Sequence, residues 1–259
     1  MRAGDWLLFS IVAASLALIG IDGASGGAVQ AALQTHLSST GQSAGRWLLR
    51  AGLVLSPLLL LPLIAALWAR ISPLPDAIAA LLDRSARAID AISETLADAV
   101  RWLALALVLI TVTVVIQRYV FGASSTKLQE SVIYFHALLF LLSSASTLLH
   151  GGHVRVDIVY TRLSQAGKAW TDLAGYYLAL VPMCVLILMT SRSYVGGAWR
   201  ILERSRESDG LPLVFLLKTA IPVFAVMMIL QGLSMAARAA LTLSGREAPA
   251  TGQRAEREL

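Results

Sequence analysis

The chain of 259 residues is 57% hydrophobic and only 14% charged, with four His and one Cys. An ordinary soluble domain carries about 25% charged residues, so these proportions exclude a soluble globular protein in favour of an integral membrane one. The formal charge of +5 comes from 21 Lys and Arg scattered at the ends of apolar runs, without the dense basic stripe that nucleic-acid binding needs.

Six apolar stretches follow one another. The first, 6–21, is short for a span and has two explanations. One is a retained helix, the reading adopted. The other is a signal peptide with Met1-Arg2 as its basic start and the small residues after Asp22 as a loose cleavage site, against which Asp5 counts. Residues 23–46, rich in Gly, Ser, Ala and Gln, are expected to form a loop holding no more than one weak helix. The second stretch, 47–68, begins and ends with Trp47 and Trp68, as interfacial anchoring favours. Its Pro57 and Pro62 are tolerable where neighbouring helices re-satisfy the freed backbone groups.

From residue 72 the texture changes. Pro73 and Pro75 end the preceding element, and Asp76 is placed to cap a new helix. Ile78, Leu81, Leu82, Ile89, Ile92 and Leu96 then recur at helical spacing, while Asp83, Arg84, Arg87, Asp90, Glu94 and Asp98 fill the other face. The spacing predicts an amphipathic helix over 76–100, too charged to span. It either packs on its own bundle or lies as an arm in the membrane interface. The arm is the reading adopted, because the helix leads straight into Arg101-Trp102 and a span.

Four further stretches, 102–121, 132–149, 173–194 and 213–243, have about the length a bilayer crossing requires. The last exceeds it, and Pro212, Lys218 and Pro222 suggest an interfacial or bent start. The tail, 244–259, is polar with alternating Arg and Glu and is expected to be disordered. The chain therefore reads as an all-α, polytopic transmembrane helical bundle in four parts. Residues 1–75 are an extension of one or two spans, 76–100 the amphipathic interfacial helix, 101–243 a four-span core and 244–259 a cytoplasmic tail. Placing both termini inside puts 12 Lys and Arg on the inner side and nine on the outer, a weak bias in the direction the positive-inside rule requires.

Chemistry-bearing residues cluster in three places. Arg118 ends the third stretch and Glu130 opens the fourth: Arg118 either pairs with Glu130 across the short 122–129 loop, which limits the cost of burying charge and is the favoured reading, or snorkels to headgroups by its aliphatic stem, or serves transport. The junction His150-Gly151-Gly152-His153-Val154-Arg155-Val156-Asp157 follows a span abruptly, and its Gly pair is suited to break the helix at the interface. Two His and one Asp do not complete a zinc set. The loop 194–211 carries Arg200, Glu203, Arg204, Arg206, Glu207 and Asp209, a solvated turn or a docking patch for a soluble partner. Cys184 is read as a small apolar side chain, and Ser143, Ser144 and Ser146 as helix-packing residues. There is no Walker loop, nucleophile elbow or His-Glu-x-x-His motif, so no enzyme is indicated.

Arg118-Tyr119-Val120-Phe121, Glu130, Gly152-His153-Val154-Arg155-Val156-Asp157 and Gly210-Leu211-Pro212 together resemble the small permease (Q) subunit of tripartite ATP-independent periplasmic (TRAP) transporters. The resemblance covers roughly residues 96–241 and leaves the first 75 outside the usual four-span pattern. It implies three components: a periplasmic binding protein that captures an organic acid, a large permease subunit that carries it inward with sodium, and this small subunit. The small subunit would sit in the inner membrane with its C-terminus cytoplasmic, enlarge the scaffold and help dock the binding protein. Arg118, Glu130, His153, Arg155 and Asp157 would serve structure and interfaces, and Arg200, Glu203, Arg204, Arg206 and Glu207 the docking. Lipids are the remaining partner, and no cofactor, metal or nucleic acid is implied. The alternative is a membrane anchor of a redox enzyme, holding haem b and quinone through His136, His150 and His153.

Overall fold

A computed structural model of the chain describes residues 2–26, 28–153 and 157–246. The described residues are helices and connections, with no strand among them, and the fold is an all-α polytopic bundle. In chain order the helices are α1 (Ala3–Ala24), α2 (Ala28–Leu55), α3 (Leu61–Trp68), α4 (Asp76–Val100), α5 (Trp102–Tyr119), α6 (Thr126–Leu149), the single turn α7 (Asp157–Tyr160), α8 (Gln165–Gly175), α9 (Val181–Ile201) and α10 (Val214–Leu243). A 3₁₀ turn, Ser56–Leu60, joins α2 to α3, and a π-helical turn, Tyr176–Leu180, joins α8 to α9. Five helical segments are long and apolar enough to cross a membrane: Ala3–Asp22, Asp76–Tyr119, Thr126–Leu149, Gln165–Ile201 and Val214–Leu243. A sixth candidate is the pair Gly45–Val54 and Ser56–Trp68, bent by 45°.

Two expectations need correction. The segment 23–46 is mostly helix, because α2 already begins at Ala28. Its start reads Ala-Val-Gln-Ala-Ala-Leu-Gln, good helix formers whose propensity outweighs the scattered Ser and Gly that suggested a loop. Nor does Asp76 cap α4 from outside: it is the first helical residue, and the Pro75 carbonyl accepts from the Ile78 and Ala79 N–H groups, both at 3.1 Å. The Asp76 carboxylate instead accepts from Arg246 Nη2 at 2.7 Å. Pro57 lies in the 3₁₀ turn and Pro62 in the first turn of α3, positions where the missing N–H costs little.

Glycine sets the end of one span. At the end of α6, Gly151 adopts φ 64°, its N–H bonds to the Leu148 carbonyl and the Gly152 N–H bonds to the Thr147 carbonyl at 2.8 Å. That is a Schellman cap, and it needs a left-handed residue that only Gly adopts without strain. The Gly pair of the junction breaks the helix as its sequence predicts.

The chain divides into two compact units. Unit 2 comprises Ala51–Glu94, Ser144–Leu188 and Phe224–Leu259. Its core joins Ala65 and Ala66 of α3, Leu82 and Ala86 of α4, Leu173 of α8, and Ala236, Ala237 and Ala240 of α10. The alanines let helix backbones approach closely, the usual basis of helix packing in lipid. One face of α4 is thereby packed on its own bundle, while Leu81 and Ile92 remain exposed. Cys184 is buried in a second cluster of this unit with Ala225, Met228 and Ile229, as a small apolar residue would be. Unit 1 comprises Met1–Arg50, Thr95–Ser143 and Met189–Val223. In it α5 buries none of its residues, and Leu105, Val108, Leu109, Val112, Val115 and Ile116 are exposed apolar surface.

Candidate functional site

Unit 1 holds the loop between α9 and α10 in a fixed shape. Helix α9 ends where Leu202 turns left-handed at φ 46°, which lets the Glu203 N–H reach the Ala198 carbonyl at 2.9 Å. A non-glycine residue there costs about 1 kcal/mol or more, and three polar ties hold it. Glu130, on the second turn of α6, accepts the Leu211 N–H at 2.6 Å on one carboxylate oxygen and the Ser205 hydroxyl on the other. Lys127 pairs with Asp209 at 2.6 Å. Lys218 of α10 pairs with Glu203 at 2.5 Å and sits 3.9 Å from the centre of the Tyr194 ring. Inside the loop, the Ser205 N–H donates to the Leu211 carbonyl. Beneath it Trp199 stacks edge-on against Phe215 and donates its indole N–H to Thr219 Oγ1 at 2.8 Å.

The expected pairing of Arg118 with Glu130 is not formed. Glu130 is engaged by the 202–213 loop, and Arg118 points to the surface at the end of α5 with no ion pair among the described residues. A backbone N–H and a hydroxyl meet the carboxylate more cheaply than a long cation that would have to be immobilised. Of the docking candidates, Arg200, Arg204, Arg206 and Glu207 are exposed, whereas Glu203 is half-buried and committed to Lys218. At the α6 junction His150 is bound locally, its Nδ1 2.9 Å from the Ser146 carbonyl and its Nε2 4.0 Å from Glu94. His153 is exposed. Arg155 lies outside the described residues, as does the Asp157 side chain, though Asp157 begins α7. Among the described residues no group of three or more His, Cys, Asp or Glu converges to hold a metal.

Unit 2 contains a polar network that the periodicity of α4 placed on its solvated face. Asp90 of α4 accepts from Gln231 Nε2 at 3.0 Å, from the Ser234 hydroxyl at 2.7 Å and from the Arg238 guanidinium, all on α10. Gln231 in turn accepts the buried Ser93 hydroxyl at 2.7 Å. The signal that could have found it is the spacing Gln231, Ser234, Arg238, one polar stripe in the second half of a mostly apolar helix.

The span-and-loop arrangement from α5 to α10 is also where similarity to known proteins lies. Residues 107–242 match the family model for tripartite ATP-independent periplasmic transporters, DctQ component. The chain belongs to this family. It is a TRAP small permease component, a multi-pass membrane transport protein, and α5 to α10 are its family core. No curated protein and no solved structure matches the chain. Helices α1 to α4 precede the matched region.

Proposed function

We propose that this small permease component is the fixed scaffold of a TRAP transporter, in which a large permease subunit moves an organic acid inward with sodium. The strapped 202–213 loop is the docking surface for the periplasmic binding protein. The observation that supports this reading is the Glu130 tie. A carboxylate gathers the loop's two ends, through Ser205 and Leu211, while Arg200, Arg204, Arg206 and Glu207 stay exposed. A rigid charged platform suits transient recognition, since it adds steering and register without an ordering cost at each encounter. The exposed apolar face of α5 suits burial against lipid or the large subunit, and Arg118, His153, Arg155 and Asp157 serve the edges of that assembly. The complex would reside in the bacterial inner membrane with the C-terminus cytoplasmic and the 202–213 loop periplasmic.

Reconstitution tests the assignment. Proteoliposomes containing this chain alone should show no uptake of organic acid. Uptake should require the large subunit, the binding protein and an inward sodium gradient together. Sodium-driven uptake by the isolated chain would overturn the scaffold reading.

A further inference from the structure

The first 75 residues carry a signal that the family core does not explain. Asp5, in the first turn of α1, is 5% exposed and accepts from Arg101 Nη2 at 2.7 Å and from the Trp102 indole N–H at 2.9 Å. Arg2 donates to Asp98 at 3.0 Å, and the Gly4 backbone lies directly on Thr95, Asp98 and Ala99, where a side chain has no room. Beyond this turn α1 is an apolar cylinder without a charged residue from Trp6 to Ile21. Trp6, Phe9, Ile11, Leu16 and Ile19 are exposed, a surface for lipid.

From these contacts we infer that α1 is retained in the mature protein and that the bent α2–α3 pair is a complete membrane crossing, so that the chain crosses six times. Polar residues at the end of a span meet only if they lie on the same side of the bilayer, which requires an even number of crossings between them. Between Asp5 and Arg101 lie α1 and the bent pair: two crossings if the pair spans, one if it returns to the side it came from. A second contact makes the same demand. The Trp199 indole lies against the backbone of Gly41, and between them lie the bent pair, α5, α6 and α9. Four crossings satisfy that contact, and three do not.

The geometry of the pair agrees. A bend of 45° leaves the chain moving onward, whereas re-entry requires a reversal. The segment 45–68 is long enough at about 1.5 Å per residue to traverse roughly 30 Å of hydrocarbon. Arg46 and Arg50 stand before its apolar part and Arg70 after it, positions from which their stems reach headgroups. The Asp5 cluster is then a latch that fastens α1 onto the α4–α5 junction.

Impermeant maleimide labelling of the full chain in right-side-out and inside-out membrane vesicles tests the count. The buried Cys184 is first replaced (C184A), and single cysteines are introduced at Ser25, Ile71 and Arg206. S25C and R206C should label from one side, and I71C from the other. Labelling of S25C and I71C from the same side overturns the crossing. Intact mass of the unaltered purified chain tests retention without any substitution. A mass that includes residues 2–24 is expected, and loss of about two dozen N-terminal residues overturns the inference. Neither outcome depends on the transporter's substrate or on docking, so the proposed function can fail while this stands.

Discussion

Asp90 of α4 and Arg238 of α10 form an ion pair whose side chains are 14% and 11% exposed. Every donor that reaches Asp90 from α10 comes from a residue three or four positions from the next, Gln231, Ser234 and Arg238, so one helical stripe serves one carboxylate. The pair ties the amphipathic helix to the last span of the family core by polar bonds as well as by the alanine packing around Leu82 and Ala86.

Arg238→Met should therefore lower stability sharply, because it leaves a buried carboxylate without its counter-ion. Breaking one side of such a pair costs about 3–5 kcal/mol, whereas replacing both partners by apolar residues is often nearly neutral. The Asp90→Leu/Arg238→Met double variant should recover most of the loss. Thermal unfolding in detergent measures both. A double variant as unstable as the single one would assign the cost to packing rather than to charge.

Glu130→Ala should free the 202–213 loop without disturbing the helices. It removes the acceptor for the Leu211 N–H and the Ser205 hydroxyl, and hydrogen bonds to a charged group contribute about 1.5–3 kcal/mol each. Trypsin should then cut at Arg204 or Arg206 faster than in the parent chain. Glu130→Gln, which keeps one acceptor oxygen, should fall between the two. Equal cleavage rates in all three chains would mean that the carboxylate does not hold the loop.

The spans were legible in the sequence because apolar length alone defines them, and the six stretches correspond to the six candidate crossings. The break at Gly151-Gly152 was legible too, since a left-handed cap has few substitutes for Gly. What was not legible is partner choice. Glu130 and Arg118 are neighbours in the chain, but Glu130 is satisfied by Ser205 and Leu211, some 75 and 81 positions away. Asp90 sits at a position that periodicity assigns to solvent, and only the α10 stripe explains its burial. Sequence periodicity locates a polar face but does not say whether water or another helix meets it.

Gly232→Ala should destabilise the π-helical turn's packing. A Cβ at Gly232 would fall 2.6 Å from Tyr176 Cδ2 and also press on Leu180, closer than real contacts allow. Tyr176 is 3% exposed, so its ring has little space to move. Overpacking of this kind costs about 1–3 kcal/mol, readable as a lower unfolding temperature in detergent. An unchanged melting temperature would show that the π turn yields freely and that the close approach is not required.

The charged rim of the 202–213 loop gives the prediction closest to function. Arg204 and Arg206 are exposed, while Glu203 before them and Ser205 between them are tied down to Lys218 and Glu130, so reversing the two arginines alters the rim and leaves the ties in place. Exposed charges of this kind act mainly on association rate and are screened over a Debye length of about 8 Å at physiological ionic strength. The Arg204→Glu/Arg206→Glu variant should slow uptake several-fold at sub-saturating binding protein. Excess binding protein should restore much of the rate, and the difference from the parent chain should shrink as salt rises. Copurification with the large subunit should not change. The exposed Arg206 is the position for a labelling cysteine. Uptake that is unchanged at every binding-protein concentration would remove the loop from the docking surface, and labelling of R206C only from the cytoplasmic side would remove it from the periplasm altogether.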